Sequence, residues 1–181
     1  MNNMIGENED ELWNIYDKDR NLTEKIHRRG DPLADDEFHL VVHVCIFNSK
    51  GELLIQKRQP WKKGWPNMWD LSVGGSAVVG DDSRKAAERE VKEELGIELD
   101  LKEERVRFTI NFRNGFDDYW MIERDIEIKD LNLQPEEVAD AKWVNKEQLK
   151  EMVKKGEFVP YYFIDLIFDL KNNEGAITNM K

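Results

Sequence analysis

The sequence GGSAVVGDDSRKAAEREVKEELGI runs from Gly74 to Ile97 and joins two segments of different character. The first segment, Gly74 to Gly80, is small, apolar and punctuated by glycine, which predicts a loop. The second predicts a helix from Asp82 or Ser83 to Leu95, because apolar residues recur at every fourth position behind a polar residue that can cap the first turn. Gly96 then stands where helices commonly end.

The polar face of this predicted helix carries Glu90, Glu93 and Glu94, spaced i, i+3 and i+4. Their Cβ atoms are expected roughly 5–6 Å apart, so the three carboxylates repel one another unless a cation lies among them. Hard oxygen donors without a nearby Cys or His favour Mg²⁺ or Mn²⁺ over Zn²⁺. In a chain with 36% charged residues, however, a Glu-rich helix is more often simply a solvated face.

The spacing of the whole segment resembles the Nudix box, G-x5-E-x7-R-E-U-x-E-E-x-G-U, in which U is aliphatic. Gly75 opens the pattern, and Arg89 to Ile97 completes it. Every fixed position matches except Asp81, which stands where the family has Glu and has a side chain one methylene shorter. The pattern is far more specific than an isolated glycine motif.

The resemblance implies a Nudix fold, an α/β/α sandwich around a mixed β-sheet, and hydrolysis of a diphosphate linkage by water with Mg²⁺ or Mn²⁺. Asp81 is expected either to reach metal through water or to serve the helix N-terminus. Gly75 is expected at the substrate. The resemblance implies that the catalytic residues are Glu90, Glu93, Glu94 and Arg89. It implies that the metal ligands are Glu90, Glu93, Glu94 and Asp81. Glu90 is alternatively the base that activates water, and Arg89 is expected to orient a glutamate.

A second unusual segment, QKRQPWKKGWPNMW, occupies residues 56–69. Arg58, Lys62 and Lys63 are basic residues in an acidic chain, and long cations beside a metal site can hold phosphate oxygens. We therefore predict that they bind substrate, the alternative for the two lysines being a solvated turn. The three tryptophans of the segment either fill the core or offer a wall for a nucleotide base.

The pattern K-K-x-W-P-x-x-W resembles the isopentenyl-diphosphate-isomerase-like branch of the family, over about residues 12–97. Those isomerases carry Ser-x-Cys-Gly-His before the box helix, whereas this chain has Gly74 for the Cys and Ser76 for the His. Neither replacement supports proton transfer or metal ligation, so a hydrolase is favoured. The alternatives kept open are an isomerase-like enzyme, a hydrolase of isoprenoid diphosphates, and a non-catalytic nucleotide-sensing module.

Many Nudix enzymes add a metal-binding carboxylate from outside the box. We prefer Glu137 or Glu136, just before a predicted strand, to Asp117 and Asp118, which are expected in a hairpin turn. Metal ligation by a histidine is the weaker alternative. His27 and His39 resemble the N-terminal metal histidines of the isomerases, and His43 shares a strand face with His39, but each is expected to be a polar partner more than a metal ligand.

Composition sets the remaining expectations. The 181 residues and net charge of −11 suit an acidic globular enzyme that acts on a small molecule and binds neither nucleic acid nor membranes. The single cysteine, Cys45, excludes an internal disulfide, and no segment approaches 18 apolar residues, which favours the cytoplasm. We expect a monomer or homodimer, with an N-terminal extension (1–34), a Nudix domain (35–171) and a flexible tail (172–181).

Local patterns predict the other elements. An N-terminal β-hairpin is expected from residues 11–16 and 22–28. Further strands are expected at 38–47, 52–58, 70–73, 105–112, 119–128 and 137–144, and further helices at 146–155 and 161–171.

Overall fold

The computed structural model describes residues 11–172. The residues before 11 and after 172, including almost all of the predicted tail, lie outside this range. The described part of the chain begins with the predicted N-terminal hairpin, formed by β1 (Leu12–Tyr16) and β2 (Leu22–Arg28). A separate mixed sheet of seven strands follows, so the predicted α/β class is confirmed.

The strands of the large sheet are β3 (His39–Phe47), β4 (Leu53–Arg58), β5 (Trp69–Asp70), β6 (Val73–Ser76), β7 (Phe108–Phe112), β8 (Gly115–Glu123) and β9 (Val138–Val144). The central strand is β3, which pairs in parallel with β8 along its whole length and antiparallel with β6. On the far side, β4 pairs with both β5 and β9. Three α-helices complete the described fold: α1 (Ser83–Leu95), α2 (Lys146–Lys154) and α3 (Ile167–Asn172).

Alternate residues of the central strands enter two separate cores, one on each face of the sheet. Val44 and Leu54 pack with α1 in the first core, whereas Cys45 and Ile55 pack with α2 and α3 in the second. The near-continuous apolar sequence of β3 is explained by this burial on both faces. The layers are therefore helix, sheet and helix. No helix within residues 11–172 is long and apolar enough to cross a membrane.

Several predicted bounds were wrong. The segment expected as one strand at 70–73 is divided between β5 and β6, and β6 extends into the glycines expected in a loop. Asp117 and Asp118 lie inside β8 instead of a turn, because β8 begins at Gly115 to match β3 residue for residue. The last helix begins only after a 3₁₀ turn at Ile164–Leu166.

Candidate active site

Helix α1 has the limits that its sequence signals predict. The Asp82 side chain accepts a hydrogen bond from the Lys85 N–H at 2.9 Å and caps the first turn. At the other end Gly96 adopts a left-handed conformation (φ 71°), and its N–H donates to Lys92 O at 3.0 Å. The apolar stripe is fully buried in the first core, which directs the acidic face toward a cleft.

The three box glutamates differ strongly in exposure. Glu94 is 5% exposed, the Glu90 side chain 12% and the Glu93 side chain 50%. Burial raises the pKa of Glu90 to about 7, against the opposing charge of Arg89. Burial, followed by the negative charge of Glu90, raises the pKa of Glu94 well above its ordinary value. Two carboxyl groups therefore lie in surroundings that disfavour their charged form unless a cation joins them.

Arg89 holds the outer part of this acidic face. Its NH1 atom donates to Glu90 Oε1 at 2.9 Å and to Glu93 Oε2 at 3.0 Å. Its Nε donates to Asp81 Oδ2 at 3.0 Å, and its NH2 donates to the Ser76 carbonyl at 2.9 Å. The guanidinium thus ties the box acids to the end of β6, a geometry suited to orienting a glutamate.

Asp81 lies behind Arg89 and does not line the cleft. Its carboxylate accepts from Arg89 and, at 3.3 Å, from the Val78 N–H. The side chain that caps the helix is that of the neighbouring Asp82. The contacts of Asp81 support a structural link to Arg89 and give no support to metal ligation.

Two positions of β6 carry glycine, and other side chains approach both so closely that a Cβ would clash. A Cβ on Gly75 would lie 2.2 Å from Glu90 Cδ, and one on Gly74 would lie 2.6 Å from Cδ2 of His43. His43 stands opposite Gly74 in the β3–β6 register. The glycine pattern therefore reflects contacts made by an extended strand, and the predicted loop was wrong over residues 74–76.

Gln56 holds the most buried glutamate. Its Nε2 donates to Glu94 Oε2 at 2.8 Å, and both side chains are buried. The Gln56 Oε1 atom is also buried and accepts no hydrogen bond from the described residues. The sequence carried a signal for this contact, because Gln56 lies two residues after Leu54 and therefore faces the same core as α1.

The acids and several cations share one cleft of about 440 Å³. Lys62 is buried and ion-paired with Glu137, and Arg58 is anchored by the Asp70 carboxylate at 3.3 Å and the Gly64 carbonyl at 2.9 Å. The solvated-turn alternative is therefore wrong for Lys62. Of the ten site residues predicted from sequence, the cleft brings together Glu90, Glu93, Glu94, Arg89, Glu137, Gly75, Arg58 and Lys62, and leaves out Asp81 and Lys63.

Sequence reasoning missed four residues near these groups. Gln134, Glu11 and Arg29 line the cleft, and Gln56 lies beneath Glu94. Glu11 and Arg29 flank the N-terminal hairpin and are distant in sequence from the box, so no spacing could have indicated them. Gln134 precedes β9 in an irregular segment that carries no pattern.

The other acids and the histidines make contacts elsewhere. Asp117 binds His43 Nδ1 at 2.7 Å, and Asp118 is buried against Arg20 and Thr109. None of His27, His39 and His43 lines the cleft. Burial opposes charge on His43, but the hydrogen bond and charge of Asp117 outweigh it and raise its pKa.

The donor chemistry of the cleft fits a divalent cation of the Mg²⁺ class. Glu90, Glu93, Glu94 and Glu137 are hard oxygen donors in one cavity, and two of them are buried acids whose ionised form a cation would stabilise. Within residues 11–172, no three acidic, histidine or cysteine side chains converge on one point as they stand. In the structure, the carboxylates of Glu90 and Glu93 face Arg89, and that of Glu94 faces Gln56.

Comparison with known proteins agrees with the site. The NUDIX domain model matches residues 37–166. An uncharacterized Nudix hydrolase of Listeria innocua is 58% identical over 162 residues, covering 90% of this chain and 96% of the relative. An isopentenyl-diphosphate Delta-isomerase of Shigella dysenteriae is 27% identical over 155 residues, covering 80% and 81% of the two chains.

Among solved structures, a protein of Deinococcus radiodurans superposes with a TM-score of 0.72 at 23% identity. The match covers 90% of this chain and all of the other, and at this identity it shows the fold alone. Together, the family model and the Listeria relative show that the chain belongs to the Nudix family and is a Nudix hydrolase.

Proposed function

We propose that this Nudix hydrolase cleaves the diphosphate linkage of a nucleoside diphosphate derivative, or of a nucleoside di- or triphosphate, by attack of water with Mg²⁺ or Mn²⁺. The observation that carries the proposal is one cleft in which the box acids of α1 meet Arg58 and Lys62. Acids that hold a metal and cations that contact phosphate oxygens together suit a diphosphate, since the substrate itself is strongly anionic.

The residues that would hold the metal are Glu90, Glu93 and Glu94, with Glu137 as the ligand from outside the box. When bound, such a cation neutralises phosphate oxygens and lowers the pKa of water. Gln56 fixes Glu94 through its amide, and Gly75 leaves room for Glu90 beside β6.

In the reaction, the oxygen of water forms a bond to one phosphorus atom while the bond from that phosphorus to the bridging oxygen breaks. The proton leaves the water for a carboxylate base, for which Glu90 is the candidate, and the departing phosphate takes the electron pair. Arg58 and Lys62 hold the outer phosphate oxygens. Their own anchors, Asp70 and Glu137, keep the two cations at the cleft wall.

A nucleotide is favoured over a smaller diphosphate by the segment that carries Lys62. Trp61 and Trp65 are each about half exposed, so the alternative that all three tryptophans of this segment fill the core is wrong. Trp61 is fixed by a hydrogen bond from Nε1 to the Glu136 carbonyl at 3.1 Å. Neither ring lines the cleft, but both lie within three residues of Lys62 in sequence, and exposed aromatic rings can stack on a base.

Hydrolysis of isoprenoid diphosphates is the second candidate, because an isopentenyl-diphosphate Delta-isomerase is among the relatives. Isomerisation itself is disfavoured, since Gly74 supplies no side chain and a Cβ there would meet the ring of His43. We place the reaction in the cytoplasm, where the lone, buried thiol of Cys45 would stay reduced.

The test is a screen with Mg²⁺ and Mn²⁺ in parallel, using nucleoside di- and triphosphates, ADP-ribose, dinucleoside polyphosphates, NADH, coenzyme A and isoprenoid diphosphates. We expect metal-dependent cleavage of a nucleotide and no conversion of isopentenyl to dimethylallyl diphosphate above the no-enzyme control. Hydrolysis of isoprenoid diphosphates alone would contradict the nucleotide proposal. Absence of cleavage with every compound would favour the non-catalytic module.

A further inference from the structure

The cleft is not built by the Nudix domain alone. The family model begins at residue 37, yet Glu11 and Arg29, which flank the N-terminal hairpin, line the same cavity as the box acids. The side chains of Arg29 and Glu11 are 29% and 16% exposed, so both are partly enclosed by the cleft wall. The hairpin therefore supplies one cation and one acid to a site whose other parts lie in the matched domain.

The hairpin is fixed to the box by backbone hydrogen bonds. The Val79 N–H donates to the Leu12 carbonyl at 2.9 Å, which joins β1 to the segment before α1. The Tyr16 N–H donates to the Phe38 carbonyl at 2.8 Å, and the Arg29 N–H closes the hairpin onto the Glu11 carbonyl at 2.9 Å. These bonds set the position of Arg29 relative to the cleft through main-chain atoms.

The guanidinium of Arg29 is also held in orientation. Its NH1 donates to Glu11 Oε2 at 2.9 Å, while the other oxygen of Glu11 accepts from Trp13 Nε1 at 2.7 Å. The Arg29 Cζ lies 5.9 Å from the centre of the Trp13 ring. Trp13 in turn stacks on His39 at 4.2 Å, with the rings 6° from parallel. An arginine ordered in this way loses little conformational entropy when it binds a ligand.

We propose that Arg29 is a substrate-binding residue, which the hairpin adds to the cleft to bind phosphate oxygens of the substrate. The inference rests on the proposed function, because it concerns the same substrate and cleft. A guanidinium matches phosphate geometry with two parallel N–H donors, which makes arginine suited to this role. Glu11 is its positioning residue and accepts a hydrogen bond from NH1. The competing explanation is that the pair with Glu11 serves only to stabilise the hairpin.

Lys25 offers a matched control. It lies on β2 of the same hairpin and forms an ion pair with Glu37 at 2.9 Å, but it does not line the cleft. Lys25→Ala therefore removes one positive charge from the hairpin, as Arg29→Ala does, without changing the cavity.

The experiment measures binding of methylenediphosphonate, a diphosphate analogue with a non-hydrolysable bridge, by calorimetry in the presence of Mg²⁺. We expect Arg29→Ala to weaken binding at least about fivefold, Arg29→Lys to restore part of it, and Lys25→Ala to change it less than about twofold. For a substrate found in the screen, Arg29→Ala should raise KM by a similar factor and leave kcat within about threefold, since Arg29 binds and does not react. Thermal melts of each variant measure folding separately.

Equal affinity of the wild type and Arg29→Ala, including absence of binding to both, would overturn the proposal. An equal loss in Lys25→Ala would also overturn it, because general electrostatics would then explain the effect. The calorimetric result needs no turnover. Failure of the hydrolysis screen would therefore defeat the proposed function, whereas unchanged diphosphonate affinity in Arg29→Ala defeats the role of Arg29 alone.

Discussion

Gly75 faces the carboxylate of Glu90 so closely that a Cβ at this position would lie 2.2 Å from both Cδ and Oε1 of the glutamate. A side chain at this position can be accommodated only if the Glu90 carboxylate moves away. Since Glu90 is the box acid held between β6 and Arg89, the glycine sets where its carboxylate lies. The first residue of the box and one of its acids therefore act as a single geometric unit.

Gly75→Ala should displace the Glu90 carboxylate and lower kcat by at least about tenfold. The control is Gly64→Ala, because a Cβ at Gly64 would meet nothing closer than an atom of Arg58 at 3.8 Å. Steady-state kinetics and a thermal melt of both variants make the test. A Gly75→Ala enzyme with wild-type kcat would show that the Gly75–Glu90 contact has no catalytic consequence.

Gln56→Leu should weaken activation by metal, because Glu94 loses the amide that orients it. Partners of metal ligands typically contribute about 10–100-fold in metal affinity or activity, so we expect the Mg²⁺ concentration for half-maximal rate to rise by about tenfold or more. The measurement is a Mg²⁺ titration of the rate at saturating substrate. An unchanged titration curve would mean that Glu94 is oriented without Gln56.

Glu137→Ala should lower metal affinity, whereas Glu136→Ala should not. Both acids precede β9, but only Glu137 lines the cleft, where it pairs with the buried Lys62. Direct Mn²⁺ binding to the two variants separates the roles, because the change of charge is the same. If the two variants bind Mn²⁺ equally well, the ligand from outside the box is another residue.

In the metal-free protein, the free energy of unfolding should depend on pH through the titration of Glu90. Its pKa is about 7 in the folded protein and 4.5 as the ordinary value, so the folded state binds more protons between these pH values and loses stability as the pH rises through them. Burial lowers the pKa of His39 to about 4, which acts in the opposite direction up to about pH 6.5. The quantity to compare is therefore the difference between Glu90→Gln and the wild type.

Between pH 4.5 and pH 8, the free energy of unfolding of Glu90→Gln should rise relative to that of the wild type by on the order of 2–3 kcal/mol, because only the wild type loses stability through Glu90. Urea denaturation with a chelator present measures it at both pH values. A difference that stays constant with pH would show that Glu90 titrates normally in the folded chain.

The sequence predicted those features of the fold that depend on contacts between neighbouring residues. The cap at Asp82, the apolar stripe and Gly96 placed α1 correctly, because each acts within one turn of helix. Glycine was a misleading signal at Gly74 and Gly75, since its usual meaning is a flexible loop. Here the cause is the approach of His43 and Glu90 from other elements, which no local pattern contains.

Among the residues of the cleft, too, some could be predicted from the sequence, whereas those brought in by distant elements could not. Glu137 and the Arg58–Lys62 segment could be predicted because charged residues flank strands next to the box. Asp117 was expected in a turn, but it lies in β8, which pairs with β3, and its carboxylate contacts His43. Arg29 reaches the cleft through the docking of the hairpin on the box, where Val79 contacts Leu12, 67 positions before it in sequence.

The central claim is that the acids of α1 carry a metal-dependent hydrolysis. Its most direct test compares wild type, Glu94→Gln and the exposed control Glu98→Gln on the best substrate of the screen, with Mg²⁺ and with a chelator. We predict turnover by the wild type only with Mg²⁺, a rate at least about a hundredfold lower for Glu94→Gln, and a wild-type rate for Glu98→Gln. Near-wild-type activity of Glu94→Gln, or equal turnover with the chelator present, would contradict the account.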